Sequence, residues 1–355
     1  MKKMIALLPC LEGAGGIRVL LGFFEELQQL GYQIEIWSQL EGSFRCRFEE
    51  MGIPVQIQQD MLDDAFMTYL GEKEDIFINT LQMFPVVKKV NDLKISNRVF
   101  WWIHEPPAYF KLYENQIPSD FFNRLSLNIH VYAAGPLVHD HILETYQYDT
   151  QILNFGVKEV HLCNAKDKAI HKLRFLLPSF YFDYLKGQDL LIKAILDLPQ
   201  EYLERSEFYF LGIVEEDMKS LYQIIQKLEA AWGNVHYIPA MEHDTMLELL
   251  NEMDCIVAPS REDATNACVV EGLMLSKLCI CSDKMGVSYY LKDGESAFIV
   301  PAGNVEMLKN KIMLVIDEYS ELNAMRKAGN CVYRVNYSED IFRSNIKKIF
   351  GQGDR

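Results

Sequence analysis

The stretch MIALLPCLEGAGGIRVLLGFFEELQQLGYQIEIWS, residues 4–38, decides the fold. Its first six residues are apolar and suit a buried strand. Val19, Leu20, Phe23, Phe24 and Leu27 then recur at helical spacing, and Gly31 stands where a helix would stop. A second strand, QIEIWS, follows at once. A strand, a helix and a strand in close succession form the unit from which parallel sheets are built.

The same alternation runs outward along the chain. IPVQI, DIFINT and NRVFWWIH read as three more strands, and HVYAAG and TQILNFGV close a first series. Residues 158–172, KEVHLCNAKDKAIHK, are polar and poorly periodic. LRFLLP then opens a second series, with strands EFYFLGI, VHYIPA, CIVAPS and LCICSD separated by amphipathic stretches such as DMKSLYQIIQKLEAAW. Two doubly wound halves are the simplest architecture, and a chain of 355 residues exceeds the usual size of a single core. No internal repeat or low-complexity tract interrupts the pattern.

Composition narrows the partners. Hydrophobic residues are 49% and charged residues 24% of the chain, the balance of a globular protein. The net charge of −15 repels nucleic acid and anionic membranes from the molecule as a whole, so no nucleic-acid partner is expected. The MKK start followed by a short apolar run lacks the length and cleavage site of a signal peptide and reads as the first strand. No run approaches the roughly 18 apolar residues that span a bilayer. The eight cysteines are scattered without zinc spacing, as expected of reduced thiols in a cytoplasmic protein.

Chemistry concentrates in PSREDATNACVVEGLML, residues 259–275. Asp263 follows the strand CIVAPS, and Glu271 lies in the next helix, which should start near Asn266 or Ala267. The first amides of a helix have no internal partners and attract anions. Small side chains at Ala264 and Ala267 would let a phosphate approach the backbone of Ala264, Thr265, Asn266 and Ala267. Two carboxylates flanking such a site suit hydroxyl groups, and a nucleotide sugar offers a diphosphate between a ribose diol and a sugar polyol. Taken alone, a pair of acidic residues eight positions apart is more often surface decoration.

The longer segment APSREDATNACVVEGLMLSKLCICSDKMGVSYYLKDGESAFIVPAGNVEML resembles the donor-site segment of the retaining GT-B glycosyltransferases of family 4 (group 1). Pro259, Ser260, Glu271, Ser282, Asp283, Gly286, Asp293, Gly294, Pro301 and Gly303 match its signature, and Asp263 stands where most members carry Glu. LKGQDLLIKAI and LNFGV extend the likeness more loosely over nearly the whole chain.

The resemblance implies an α/β GT-B fold, two Rossmann-like doubly wound parallel-sheet domains facing a central cleft. An acceptor-binding domain would span residues 1–160 and a nucleotide-sugar-binding domain residues 161–335, with a helix in 336–355 crossing back to the first. It further implies transfer of a sugar from a nucleoside diphosphate sugar to a glycan or lipid-linked acceptor, with retention and with neither metal nor cofactor. Peripheral contact with the inner face of the membrane is compatible with such an acceptor. Glu271 would bind the ribose hydroxyls, Asp263 the transferred sugar, and Lys186 the diphosphate. The family's Arg a few residues before that Lys has no counterpart; Tyr181 stands near its position.

Two sites remain in the first half. Gly13, Gly15 and Gly16 lie between the first strand and helix in a G-x-G-G order, which does not match the dinucleotide fingerprint G-x-G-x-x-G. A tight turn explains them as well as a ligand does. By resemblance, Gly15 and Gly16 approach the donor phosphates. His104 and Glu105 follow an apolar strand, immediately before Pro106 and Pro107 turn the chain. By resemblance His104 contacts the donor sugar, while Trp101 and Trp102 are packing residues. Two alternatives stay open: a nucleotide-sugar epimerase of the same fold and a non-catalytic sugar-nucleotide-binding subunit. An NAD-dependent oxidoreductase ranks below both, because QIEIWSQ ends without the acidic residue that would bind the adenosine ribose.

Overall fold

A computed structural model describes residues 2–12, 15–73, 75–162 and 172–351. The chain divides into two compact units, one formed by residues 1–156 with 339–355 and the other by 157–338.

The first unit holds seven strands: β1 (Lys2–Cys10), β2 (Tyr32–Leu40), β3 (Val55–Ile57), β4 (Asp75–Asn79), β5 (Arg98–Ile103), β6 (Ile129–Ala133) and β7 (Gln151–Ile152). They pair in the order β3-β2-β1-β4-β5-β6-β7, every pair parallel. The opening stretch behaves as its periodicity predicts. The helix Gly15–Gln29 turns Leu20, Phe23, Phe24 and Leu27 fully inward, and β1 lies beside β2 with Met4 opposite Ile34. Phe23 meets Phe77 of β4 with ring centroids 4.7 Å apart and Trp102 of β5 at 5.4 Å. Trp101 and Trp102 are buried, and their indole N–H groups donate to the carbonyls of Thr80 and Leu153. Both are packing residues, as expected.

The helix Glu339–Phe350 belongs to this unit. Phe350 packs 4.4 Å from Phe100 and 5.5 Å from Phe23, centroid to centroid. Arg343 Nε reaches both carboxylate oxygens of buried Glu26, at 2.8 and 2.9 Å. Asp75, at the amino end of β4, is equally enclosed; Arg98 holds it at 2.9 and 2.7 Å, and the Tyr32 hydroxyl donates to it at 3.1 Å. Burial, together with the Asp75 carboxylate, pushes the Tyr32 phenol up to about 12.

The second unit holds β8 (Leu173–Tyr181), β9 (Ser206–Ile213), β10 (Val235–Ile238), β11 (Cys255–Ala258), β12 (Leu278–Ser282) and β13 (Phe298–Val300). Their order is β10-β9-β8-β11-β12-β13, again parallel throughout. Apolar side chains from both faces, such as Phe175, Phe208, Leu191 and Ile312, make its core. Cys255, Cys279 and Cys281 are buried in β11 and β12, and burial raises all three thiols. Thiols buried in this way carry little thiolate and are core residues. In each sheet the strand order reverses once, between β1 and β4 in the first and between β8 and β11 in the second. Loops leaving two such strands diverge to opposite faces and open a crevice at the carboxyl edge, where ligands of these sheets bind.

Replacing Arg343 by Met would leave the Glu26 carboxylate enclosed without its charge partner. Arg343→Met is expected to lower unfolding stability by about 1–3 kcal/mol, measured as a shift in urea midpoint at unchanged slope.

Candidate active site

Lys186 and Asp263 leave the two strands that flank the reversal point of the second sheet. Lys186 lies in the loop after β8, and Asp263 in the loop after β11. Although 77 residues apart in sequence, they meet, with Nζ 2.6 Å from Oδ2. Burial alone would lower the lysine; the Asp263 carboxylate outweighs it and holds the ammonium above its ordinary pKa.

Asp263 also organises its own loop. Its Oδ2 accepts from Asn266 Nδ2 at 2.9 Å and its Oδ1 from the Thr265 amide at 3.3 Å. With Lys186, three donors are engaged, and a carboxylate offers about four lone-pair positions, so roughly one remains for an outside hydroxyl. Asn266 takes up a left-handed φ of 72° and caps the helix Ala267–Met274, its side-chain oxygen accepting from Val269 N at 3.1 Å. The helix therefore begins where the sequence places it.

Two glycines let these loops close. A Cβ on Gly187, whose φ is +77°, would lie 2.5 Å from the carbonyl oxygen of Pro259. A Cβ on Gly286 would lie 1.8 Å from that of Ala264. Gly286 N donates to Asp263 O at 3.0 Å, and Val287 N donates to Thr265 O at 3.3 Å, so the 286–287 backbone is pressed against the 263–265 loop. Arg261 fastens the other side. Its guanidinium pairs with Asp189 at two 2.8 Å contacts and stacks over the Tyr184 ring, and its amide donates to Leu185 O at 2.7 Å. This arginine ties the Lys186 loop to the Asp263 loop, a role the sequence reading missed because its partners lie more than 70 residues away. Tyr181, near the position of the family's second cation, ends β8 and packs edge-on against Phe180.

Glu271 sits in the helix after this loop, with a side chain only 6% exposed. Its Oε1 lies 2.5 Å from Nε2 of His243. Its Oε2 has no hydrogen-bond partner among the described residues, an unusual state for a buried carboxylate oxygen. His243 begins the helix His243–Glu252 beyond the carboxyl end of β10. Nothing in the local pattern of DTMLELLNEM singles it out; only helix packing brings it to Glu271.

The remaining expected residues belong to the first unit. Gly15 and Gly16 open its first helix, with nothing within 4 Å of a Cβ built on Gly16; Gly13 lies outside the described residues. His104 follows β5, its ring 4.2 Å from that of Trp102. Burial pushes the imidazole down to about 3, so it is neutral at physiological pH. Its Nε2 is buried without a partner among the described residues. Glu105, next to it, accepts from the amides of Leu81 at 2.8 Å and His104 at 3.1 Å, joining the ends of β4 and β5. Burial raises this carboxyl despite those bonds.

Residues 165–331 match the family model described as glycosyl transferases group 1. No curated protein sequence matches the chain. Among solved structures, HepE of Anabaena in complex with UDP-glucose superimposes with a TM-score of 0.81 at 15% identity, covering 99% of this chain and 100% of that one. Sucrose-phosphate synthase from Thermosynechococcus elongatus gives 0.77 at 14% identity, with 99% of each chain covered. A glycosyltransferase from Rickettsia africae gives 0.76 at 17%, covering 99% and 100%. The chain thus has the two-sheet α/β fold of these proteins, the GT-B fold. No helix among the described residues is long and apolar enough to cross a membrane.

Gly286→Ala is expected to displace the 263–265 loop and to destabilise the protein by about 2 kcal/mol or more, the usual cost of forcing an added methyl into a closed contact. Gly16→Ala, made into open space within a helix, should leave thermal unfolding unchanged or move it slightly upward. Calorimetric melting of the two variants checks both expectations.

Proposed function

We propose that this protein is a glycosyltransferase that takes a sugar from a nucleoside diphosphate donor and passes it, with retention of configuration, to a glycan or lipid-linked acceptor. The observation that carries the reading is the grouping at the reversal point of the second sheet. One lysine ammonium, the start of a capped helix and, within that helix, a buried carboxylate with an unpaired oxygen follow two neighbouring strands at one sheet edge. The group 1 match over residues 165–331 and the UDP-glucose held by HepE, a protein of the same fold, support the same reading.

The chemistry follows from charge. As the bond from the sugar to the diphosphate breaks, negative charge grows on the leaving oxygens. A cation and backbone dipoles fixed before that moment stabilise it without reorganising. Lys186 has three N–H donors and commits one to Asp263, which leaves two for phosphate oxygens. The positive end of the Ala267–Met274 helix adds to them. Glu271 would accept from the ribose, which does not react, and Asp263 from the sugar being transferred. His104, neutral, would act as a hydrogen-bonding group toward the donor sugar. In such a transfer the donor's own phosphate oxygen takes the acceptor proton.

The two carboxylates should separate in a titration. Glu271→Ala is expected to weaken binding of both donor and bare nucleoside diphosphate by about one to two decades, the worth of a charged hydrogen bond to a hydroxyl. Asp263→Asn removes the anion that competes for Lys186, so affinity for the bare nucleoside diphosphate should hold or rise while turnover falls. Calorimetric titration with UDP and GDP, paired with turnover of the matching sugar donor, tests the assignment. The reverse pattern, with nucleotide lost in Asp263→Asn and kept in Glu271→Ala, contradicts it.

The proposed charge compensation needs no divalent ion. Transfer activity should therefore persist in excess EDTA, and an activity abolished by EDTA and restored by Mn²⁺ would count against the Lys186 assignment.

A further inference from the structure

We infer that His243 is a positioning residue for the donor nucleotide: it holds one oxygen of Glu271 so that the other is presented to the ribose. The inference rests on the nucleotide-sugar reading above and adds to it a residue outside the 259–303 segment. Three observations carry it.

The first is the contact itself. His243 Nε2 lies 2.5 Å from Glu271 Oε1, and the two side chains are 18% and 6% exposed. A carboxylate so enclosed cannot reorient toward water. With Nε2 as the donor, the imidazole fixes which oxygen faces inward.

The second is the oxygen left over. Glu271 Oε2 is buried and has no partner among the described residues. A protein that meant only to tie two helices together would leave no such oxygen, because a desolvated carboxylate oxygen without a donor is unfavourable. A ligand hydroxyl satisfies it. Oε1 already accepts from His243, so Oε2 is the oxygen with its full capacity left for the ribose.

The third is the surroundings of the other ring nitrogen. His243 Nδ1 is 3.8 Å from Oδ1 of Asp244, whose side chain is fully exposed. That distance is too long for a hydrogen bond, so Nε2 makes the ring's close contact, and opposite a carboxylate oxygen, which only accepts, Nε2 is the nitrogen that carries a proton. Tautomer choice follows from these partners. In this form His243 gives one N–H to Glu271 Oε1. It acts as a fixed donor.

A double-mutant cycle separates positioning from mere packing, because two groups that act as one unit are not additive. Nucleoside diphosphate affinity is measured by calorimetry, with UDP and GDP as probes, for the wild type, His243→Leu, Glu271→Gln and the double variant. His243→Leu is expected to weaken binding about tenfold in the wild-type background and less than about twofold when Glu271 is already Gln. His243→Gln, whose amide can still donate to Oε1, should stay within about threefold of the wild type. If His243→Leu does not fold, His243→Asn, too short to reach Oε1, takes its place in the cycle.

Equal losses in both backgrounds, or wild-type affinity in His243→Leu, would overturn the proposal while leaving the nucleotide reading intact. Failure of the wild-type protein to bind any nucleoside diphosphate would overturn that reading, and the role of His243 with it.

Discussion

The ion pair between Lys186 and Asp263 is the contact on which the geometry of the second unit's edge depends. It forms because β8 and β11 are neighbours although 73 residues of other elements, β9 and β10 among them, separate the end of one from the start of the other. The pair is partly enclosed, and its attraction acts in surroundings less polarisable than water, so it holds the two loops in one arrangement more firmly than a surface pair would. The other contacts between and within the two loops are arranged around it. Asn266 reaches back to Asp263 and thereby starts the next helix, Gly286 presses under Ala264, and Arg261 straps the Asp263 loop to Asp189 and to the Lys186 loop.

This arrangement places both a charge and its partner where a ligand is proposed to arrive. In the resting protein the ammonium is balanced by a carboxylate and needs no counterion. An arriving diphosphate meets a lysine already oriented, with two N–H groups unspent on Asp263, and the entropy of ordering a long side chain has been met in folding. The cost is that Asp263 competes for the same cation, which is why its removal is expected to help a bare nucleotide and harm the reaction. Glu271 is oriented by a different device, the donor nitrogen of His243. The site thus holds its two carboxylates by separate means.

Much of the architecture was legible in the sequence because it is written locally. The spacing of Leu20, Phe23, Phe24 and Leu27 marks a helix with one buried face, and the β-branched and aromatic runs around it mark buried strands. Asn266 signals a helix start by its chemistry alone. The segment that resembles the group 1 glycosyltransferases marks Asp263, Glu271 and Gly286 by sequence alone. Contacts that depend on strand order or on helix packing left no local trace. The Lys186–Asp263 pair requires knowing that β8 and β11 are adjacent. The Arg261–Asp189 pair requires the same knowledge, and so the only cation sought near Lys186 was one earlier in its own loop, where Tyr181 stands instead. His243 reads as an ordinary helix-start residue; the packing of two helices, and not its neighbours in sequence, brings it against Glu271.

The edge of the second sheet at β8 and β11 is where the diphosphate of a sugar donor is proposed to bind. A crystal structure of the protein soaked with a nucleoside diphosphate tests it most directly. Phosphate oxygens are expected within hydrogen-bonding distance of Lys186 Nζ and of the backbone at 264–268, with the ribose on Glu271 Oε2. A nucleotide bound with its phosphates away from Lys186, or resting on the first unit alone, would contradict it.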